Sequence, residues 1–222
     1  MRILHTKNEI RKIKDRWGNY PERINARKSI LFTRPPLKIT GVVRDRIYNN
    51  CWLPYFIGIV EFSLVFEPTR LKRKEVAANL RLQKLGFGKK PFKMSEPSSI
   101  VYEPFIPNIM HNFSICAPVY TSIVNTTDLT EKRLSSKSYD KTLVNTAWAD
   151  WMGCEFNDHT NWYENKLSKN LSGSSYDHDI GGVYNLFEKW SKMSKTEVLA
   201  LPLEKTGYRL KLKDFEKLCL VL

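Results

Sequence analysis

Along residues 55–66 the chain alternates with a period of two. Phe56, Gly58, Val60, Phe62, Leu64 and Phe66 fall on one side, and Ile57, Ile59, Glu61, Ser63 and Val65 on the other. This is the signature of a strand with one buried face, whose second face turns polar half-way along, as in a sheet partly covered by another layer. Residues 37–43 read as a further strand. Helical spacing dominates elsewhere. Thr6-Lys7-Asn8-Glu9 has the form of a capping box, with Ile10, Ile13 and Trp17 following on one edge, so residues 6–17 read as a short helix. Gly18 and Pro21 end it, and residues 18–36 read as an extended basic arm. Leu71, Ala78, Leu82 and Leu85 then mark a basic helix closed by Gly86.

Pro97, Pro104 and Pro107 hold residues 96–107 extended. Residues 111–124 read as a strand, demoted to an edge by Pro118. Four helices are expected over residues 128–135, 139–152, 160–171 and 180–193, and residues 197–203 and 208–213 suggest a hairpin. The expected fold class is α+β: a small antiparallel or mixed sheet with packed helices, a basic extended N-terminal arm and a helical C-terminal part. Its segments are 1–36 (basic helix and arm), 37–95 (basic α/β segment), 96–110 (Pro-rich linker) and 111–222 (mostly helical, aromatic-rich, ending in the hairpin).

Composition changes this picture through charge. The 222 residues are 42% hydrophobic and 27% charged, enough for a substantial core. No run of apolar residues reaches membrane-spanning length: residues 51–66 come closest and are broken by Pro54 and Glu61. The net charge is +13. Residues 1–100 hold 22 Lys and Arg against 8 Asp and Glu, so the remaining chain is close to neutral. Two basic blocks, 1–46 and 70–93, flank an apolar segment. A cationic stripe on a folded body is the footprint of phosphate binding. The expected contacts are Arg11, Lys12, Lys14, Arg16, Arg23, Arg27, Lys28, Arg34, Arg70, Lys72, Arg73, Lys74, Arg81, Lys84, Lys89, Lys90 and Lys93, with Phe87 or Phe92 stacking on an exposed base.

Catalytic chemistry finds little footing. Cys154, His159 and His178 lack the paired spacing of a structural zinc site. Asp177-His178-Asp179 reads as an acidic helix cap before Ile180. Gly86-Phe87-Gly88-Lys89-Lys90 lacks the strand–loop–helix context of a nucleotide-hydrolysing phosphate loop. Residues 52–58, Trp-Leu-Pro-Tyr-Phe-Ile-Gly, resemble the opening of the LAGLIDADG segment of homing endonucleases. Gly58 stands where that motif needs its first acid, and Glu61 is one position late for its second. Six tryptophans read as core or interface anchors. The four cysteines, Cys51, Cys116, Cys154 and Cys219, are widely spaced, as for free thiols in a reducing compartment.

The expectation is a non-catalytic structural component of a large ribonucleoprotein, a ribosomal protein of the mitochondrial matrix or the cytoplasm. It needs no metal, cofactor or small-molecule substrate. The N-terminal half would grip rRNA and the C-terminal half neighbouring proteins. The alternatives are an accessory subunit of a mitochondrial membrane-associated complex and a nucleic-acid enzyme using Glu61.

Overall fold

The computed structural model describes residues 1–13, 23–66, 75–109, 111–116, 120–125, 131–156, 165–174 and 179–220. In chain order the strands are β1 (Arg2–Ile13), β2 (Arg23–Arg34), β3 (Leu37–Val43), β4 (Arg46–Leu53), β5 (Tyr55–Phe66), β6 (Glu75–Gly88), β7 (Ile100–Tyr102), β8 (Tyr120–Asn125) and β9 (Arg209–Lys211). The helices are α1 (Glu131–Leu134), α2 (Lys137–Met152), α3 (Lys166–Ser172), α4 (Ile180–Lys192), α5 (Lys195–Leu199) and α6 (Leu212–Leu220). The architecture is α+β, with the helices in the C-terminal half. Seven strands form one antiparallel sheet in the order β1-β2-β5-β6-β7-β9, with β8 on the same edge of β6 as β7, while β3 and β4 pair as a separate hairpin.

Alternation along β5 is as the sequence dictates. Phe56, Val60, Phe62 and Leu64 enter the main core, joined from β2 by Ala26, Ile30 and Phe32 and from the helices by Trp148, Phe187 and Trp190. Trp148 of α2 stacks on Phe56 with centroids 4.7 Å apart, and the Trp190 indole N–H of α4 donates to the Trp52 carbonyl at 2.7 Å. Gly58 lets Phe32 close on the sheet: a Cβ there would lie 2.7 Å from the ring. On the opposite face α6 brings Leu212, Phe215 and Cys219 against Leu31, Ile57, Ile59 and Val101. These positions recur at three and four residues, so one short helix covers one half of that face.

Three local expectations give way to tertiary pairing. Residues 6–13 are strand, not helix. Thr6 caps no helix: its hydroxyl donates to the Asp140 carboxylate of α2 at 3.0 Å, and β1 pairs with β2 along almost its whole length. Within the expected arm, residues 23–34 are extended but form an interior strand, paired with β1 on one side and β5 on the other. The expected helix ending at Gly86 is strand over its described part, residues 75–88. A bulge explains the misleading spacing: Val60 pairs with Leu82 and Ile59 with Lys84, leaving Gln83 extra. The bulge sets Leu82 and Leu85 three residues apart on one face, a helical interval produced by an irregular strand.

The expected Pro-rich linker contributes Phe105, Ile106 and Ile109 to the same core as both halves. Residues 197–203, expected as the first strand of a hairpin, run from the end of α5 to the start of a 3-10 turn at Leu203–Thr206, and within 208–213 only β9 is strand, paired with β7. Residues 139–152 and 180–192 are helical as their patterns indicate.

Candidate nucleic-acid interface

Where α6 ends, the second face of the sheet becomes polar. Cys219 lies over Ser29, sulfur to hydroxyl oxygen 3.1 Å. Beyond it no described element covers the strands. Register places Glu9 opposite Arg27 and Arg11 opposite Asn25 on the β1–β2 ladder, Arg27 opposite Ser63 on β2–β5, and Glu61 and Ser63 opposite Arg81 and Asn79 on β5–β6. Directly opposite residues project to the same face. The result is a polar surface of arginines, carboxylates and amides four strands wide. Glu9, Arg11, Asn25 and Arg27 border a depression of about 200 Å³ within it.

The cations differ in how firmly they are held. Arg81 gives two hydrogen bonds to one Glu61 oxygen, at 3.1 and 2.7 Å, and Arg11 pairs with Glu9. Arg11 is largely open to water and Arg81 about half so, and pairs screened in this way rarely exceed about 1 kcal/mol. Phosphate, which takes charge-assisted bonds from guanidinium, can compete for them. Arg27 is exposed and has no ion-pair partner among the described residues.

Other expected contacts sit elsewhere. Lys28 is fully buried (0% exposed) on the opposite face. Its ammonium lies 2.5 Å from the Asp140 carboxylate and over the Tyr139 ring. It cannot meet a phosphate. Arg34 is half-buried beneath α2, stacked on Trp148 at 5.1 Å and donating to the Asn145 side-chain oxygen at 2.7 Å, and burial lowers its pKa. Lys84 is spent on the 111–116 segment, donating to the Asn112 carbonyl and the Ser114 hydroxyl at 3.2 and 2.7 Å; desolvation lowers its pKa too. Lys89, Lys90 and Lys93 project from the turn after β6, at the other end of that strand. Lys89 pairs with Glu204, and Lys90 and Lys93 with Glu96.

Phe87 and Phe92 are buried, at 0% and 3% exposure, and offer no ring for base stacking. Lys14, Arg16, Arg70, Lys72, Arg73 and Lys74 lie outside the described residues, as do the side chains of Lys12 and Arg23. The strands bounding those segments end together, however. Ile13 pairs with Arg23, and Ile24 with Phe66; β6 begins at Glu75 at the same end. The basic connection 67–74, with Arg70, Lys72, Arg73 and Lys74 against Glu67, therefore joins the sheet at the end where its second face is open, as does the 14–22 connection, whose Lys14 and Arg16 are balanced by Asp15 and Glu22.

Sequence reasoning passed over Asn25 and Asn79. The signal was present as the period-two spacing of polar residues at 7, 9 and 11, at 25 and 27, and at 79 and 81. Of the possible zinc ligands, Cys154 is buried, its thiol donating to the Asp150 carbonyl at 3.2 Å, and His159 and His178 fall outside the described residues. Among the described residues no helix is long and apolar enough to cross a membrane, and no group of three metal-ligating side chains occurs. No protein-family model, curated protein or solved structure matches the chain.

Proposed function

We propose that the protein is a non-catalytic RNA-binding component of a large ribonucleoprotein, ribosomal in type, which grips RNA phosphates with the open half of its sheet. The observation that carries this reading is the cluster of Arg11, Arg27 and Arg81 on an uncovered polar face, at the end of the sheet where the basic connection 67–74 begins. The described residues of that face include no aromatic side chain, so their contacts favour backbone over base. The helical half, built around Trp148, Trp151 and Trp190, faces neighbouring proteins in this reading. The particle is one of the mitochondrial matrix or the cytoplasm.

Fluorescence anisotropy with an RNA duplex, across about 50 to 200 mM salt, tests the proposal. Affinity should fall steeply with salt as phosphate contacts release counterions. Arg27→Glu with Arg81→Glu should weaken binding at every salt and flatten the log–log slope by about two, roughly one per lost contact. Lys166→Glu with Lys195→Glu, on the helical side, should change neither. Absence of binding at the lowest salt, or a slope near zero, overturns it.

A further inference from the structure

At the far end of β6 from the open face, the turn carrying Lys89 and Lys90 borders a cleft of about 620 Å³, within the range of small-ligand sites. Glu96, Ser95, Ser98 and Tyr102 also line it. Its frame is tied down on several sides. The Glu96 N–H donates to the Lys93 carbonyl at 2.9 Å and the Ser99 N–H to the Glu96 carbonyl at 3.0 Å. The first N–H groups of α6 donate to the Ser99 and Pro97 carbonyls, at 2.8 and 3.1 Å. Beneath the turn Phe92 packs on Gly88, where a Cβ would come within 2.5 Å of the ring. The cleft is therefore held in place without a ligand.

The chemistry lining it is mixed in an informative way. Lys89 and Lys90 supply two ammonium groups on side chains that are 45% and 68% exposed, so their pairs with Glu204 and Glu96 are screened by water and open to competition from a stronger anion. Ser95 and Ser98 present exposed hydroxyls. Tyr102 offers a half-buried ring, and register sets the cation Arg209 directly opposite it on β9. Glu96 is the odd member, a carboxylate in a basic cleft. Hydrogen bonds from Lys90 and Lys93 lower its pKa, so it is ionised at neutral pH and acts purely as an acceptor. Phosphate that takes Lys90 from Glu96 leaves this carboxylate short of a donor and supplies none itself. A sugar hydroxyl supplies one.

We propose that this cleft is a ribonucleotide site, taking phosphate on Lys89 and Lys90, a ribose hydroxyl on Glu96 and the base against Tyr102. The nucleotide is either free or presented by an RNA strand, and the same three contacts serve both. The site stands apart from the open sheet face, and its existence does not depend on that face binding RNA.

Calorimetric titration of the full chain with AMP, dAMP, inorganic phosphate and a short single-stranded RNA tests it. AMP should bind saturably, dAMP several-fold and phosphate still more weakly. Lys89→Ala with Lys90→Ala should weaken AMP by about tenfold, the loss of roughly one charge-assisted contact. Glu96→Gln should erase the preference for AMP over dAMP. Arg27→Glu with Arg81→Glu should leave AMP binding unchanged, which separates this site from the sheet face. If only the RNA binds, and does so through Lys89, Lys90 and Glu96, the nucleotide comes from an RNA strand. The proposal is overturned if neither AMP nor RNA binding responds to Lys89 and Lys90. It is equally overturned if AMP, dAMP and phosphate bind alike, which would describe a simple anion cleft.

Discussion

Lys28 and Asp140 bring a charge pair into a dry interface between β2 and α2. Thr6 adds a second hydrogen bond to the carboxylate and Tyr139 a ring beneath the ammonium. Each partner satisfies the other, so removing one strands a buried charge. Asp140→Ala should therefore cost about 3–5 kcal/mol, read as a lower urea midpoint. Replacing both partners, Lys28→Met with Asp140→Leu, should recover most of that loss, because the apolar pair leaves no charge to desolvate. A double variant as unstable as the single would show that the pair contributes net stability. From the sequence Lys28 is one more cation in a basic block, and what distinguishes it is its strand position, two before Ile30 and four before Phe32. That parity puts it on the core face.

Strand parity also decided what was legible among the elements. β5 was legible because both its faces obey a strict alternation, and its polar switch at Glu61 foretells the end of α6 coverage. Helices α2 and α4 were legible because local spacing and packing agree. β1 was hidden because Thr6-x-x-Glu9 imitates a helix start, and only pairing with β2 reveals its period. β6 was hidden by its bulge. The candidate site inherited these errors: its basic residues were identified by charge, but their distribution over two faces and two ends of a sheet required the register.

The bulge also makes a test. Because Gln83 is the extra residue, deleting it leaves Lys84 opposite Ile59 and Leu85 opposite Gly58, so every side chain keeps its face; deleting Asn79, inside the regular ladder, instead drives Arg81 into the core and Leu80 and Leu82 out of it, or else shifts the register upstream. The Gln83 deletion, which gives up the hydrogen bond from the Ile115 N–H to the Gln83 carbonyl, should keep a cooperative thermal transition by circular dichroism with a modestly lower midpoint, while the Asn79 deletion should abolish it. A Gln83 deletion that loses its transition as the Asn79 deletion does would contradict this register.

For the whole molecule, the groups most perturbed by burial favour neutrality. Burial pushes the Cys51 thiol from 9.0 up to about 12 and raises Cys219 and Tyr139 in the same direction. In the unfolded chain the thiols ionise near pH 9 and the phenol near pH 10. Above these values the unfolded state binds fewer protons than the native state, so stability falls with rising pH. This contribution is fully present below about pH 9 and is lost progressively toward 12. Urea midpoints at pH 8 and pH 10.5 should differ in that sense, and Cys51→Ala should narrow the gap between them. Equal midpoints would contradict the burial of these groups.

The pairing of β7 with β9 joins Tyr102 to Arg209, a separation that governs the order in which the chain can assemble during synthesis. Strands β1, β2, β5 and β6 are all complete by residue 88, and their pairings are between neighbours in sequence apart from the inserted β3–β4 hairpin. The lid over Leu31, Ile57 and Ile59 is encoded more than a hundred residues later, in α6. Once α2 and α4 have emerged, a nascent chain therefore carries its four long strands covered on the main core face, with β9 not yet made and one apolar half-face of the other side still bare, and non-local closure of this kind is slow. During that interval the exposed strip is the part of the protein most in need of a chaperone, and the part most prone to self-association if translation stalls before α6 is made.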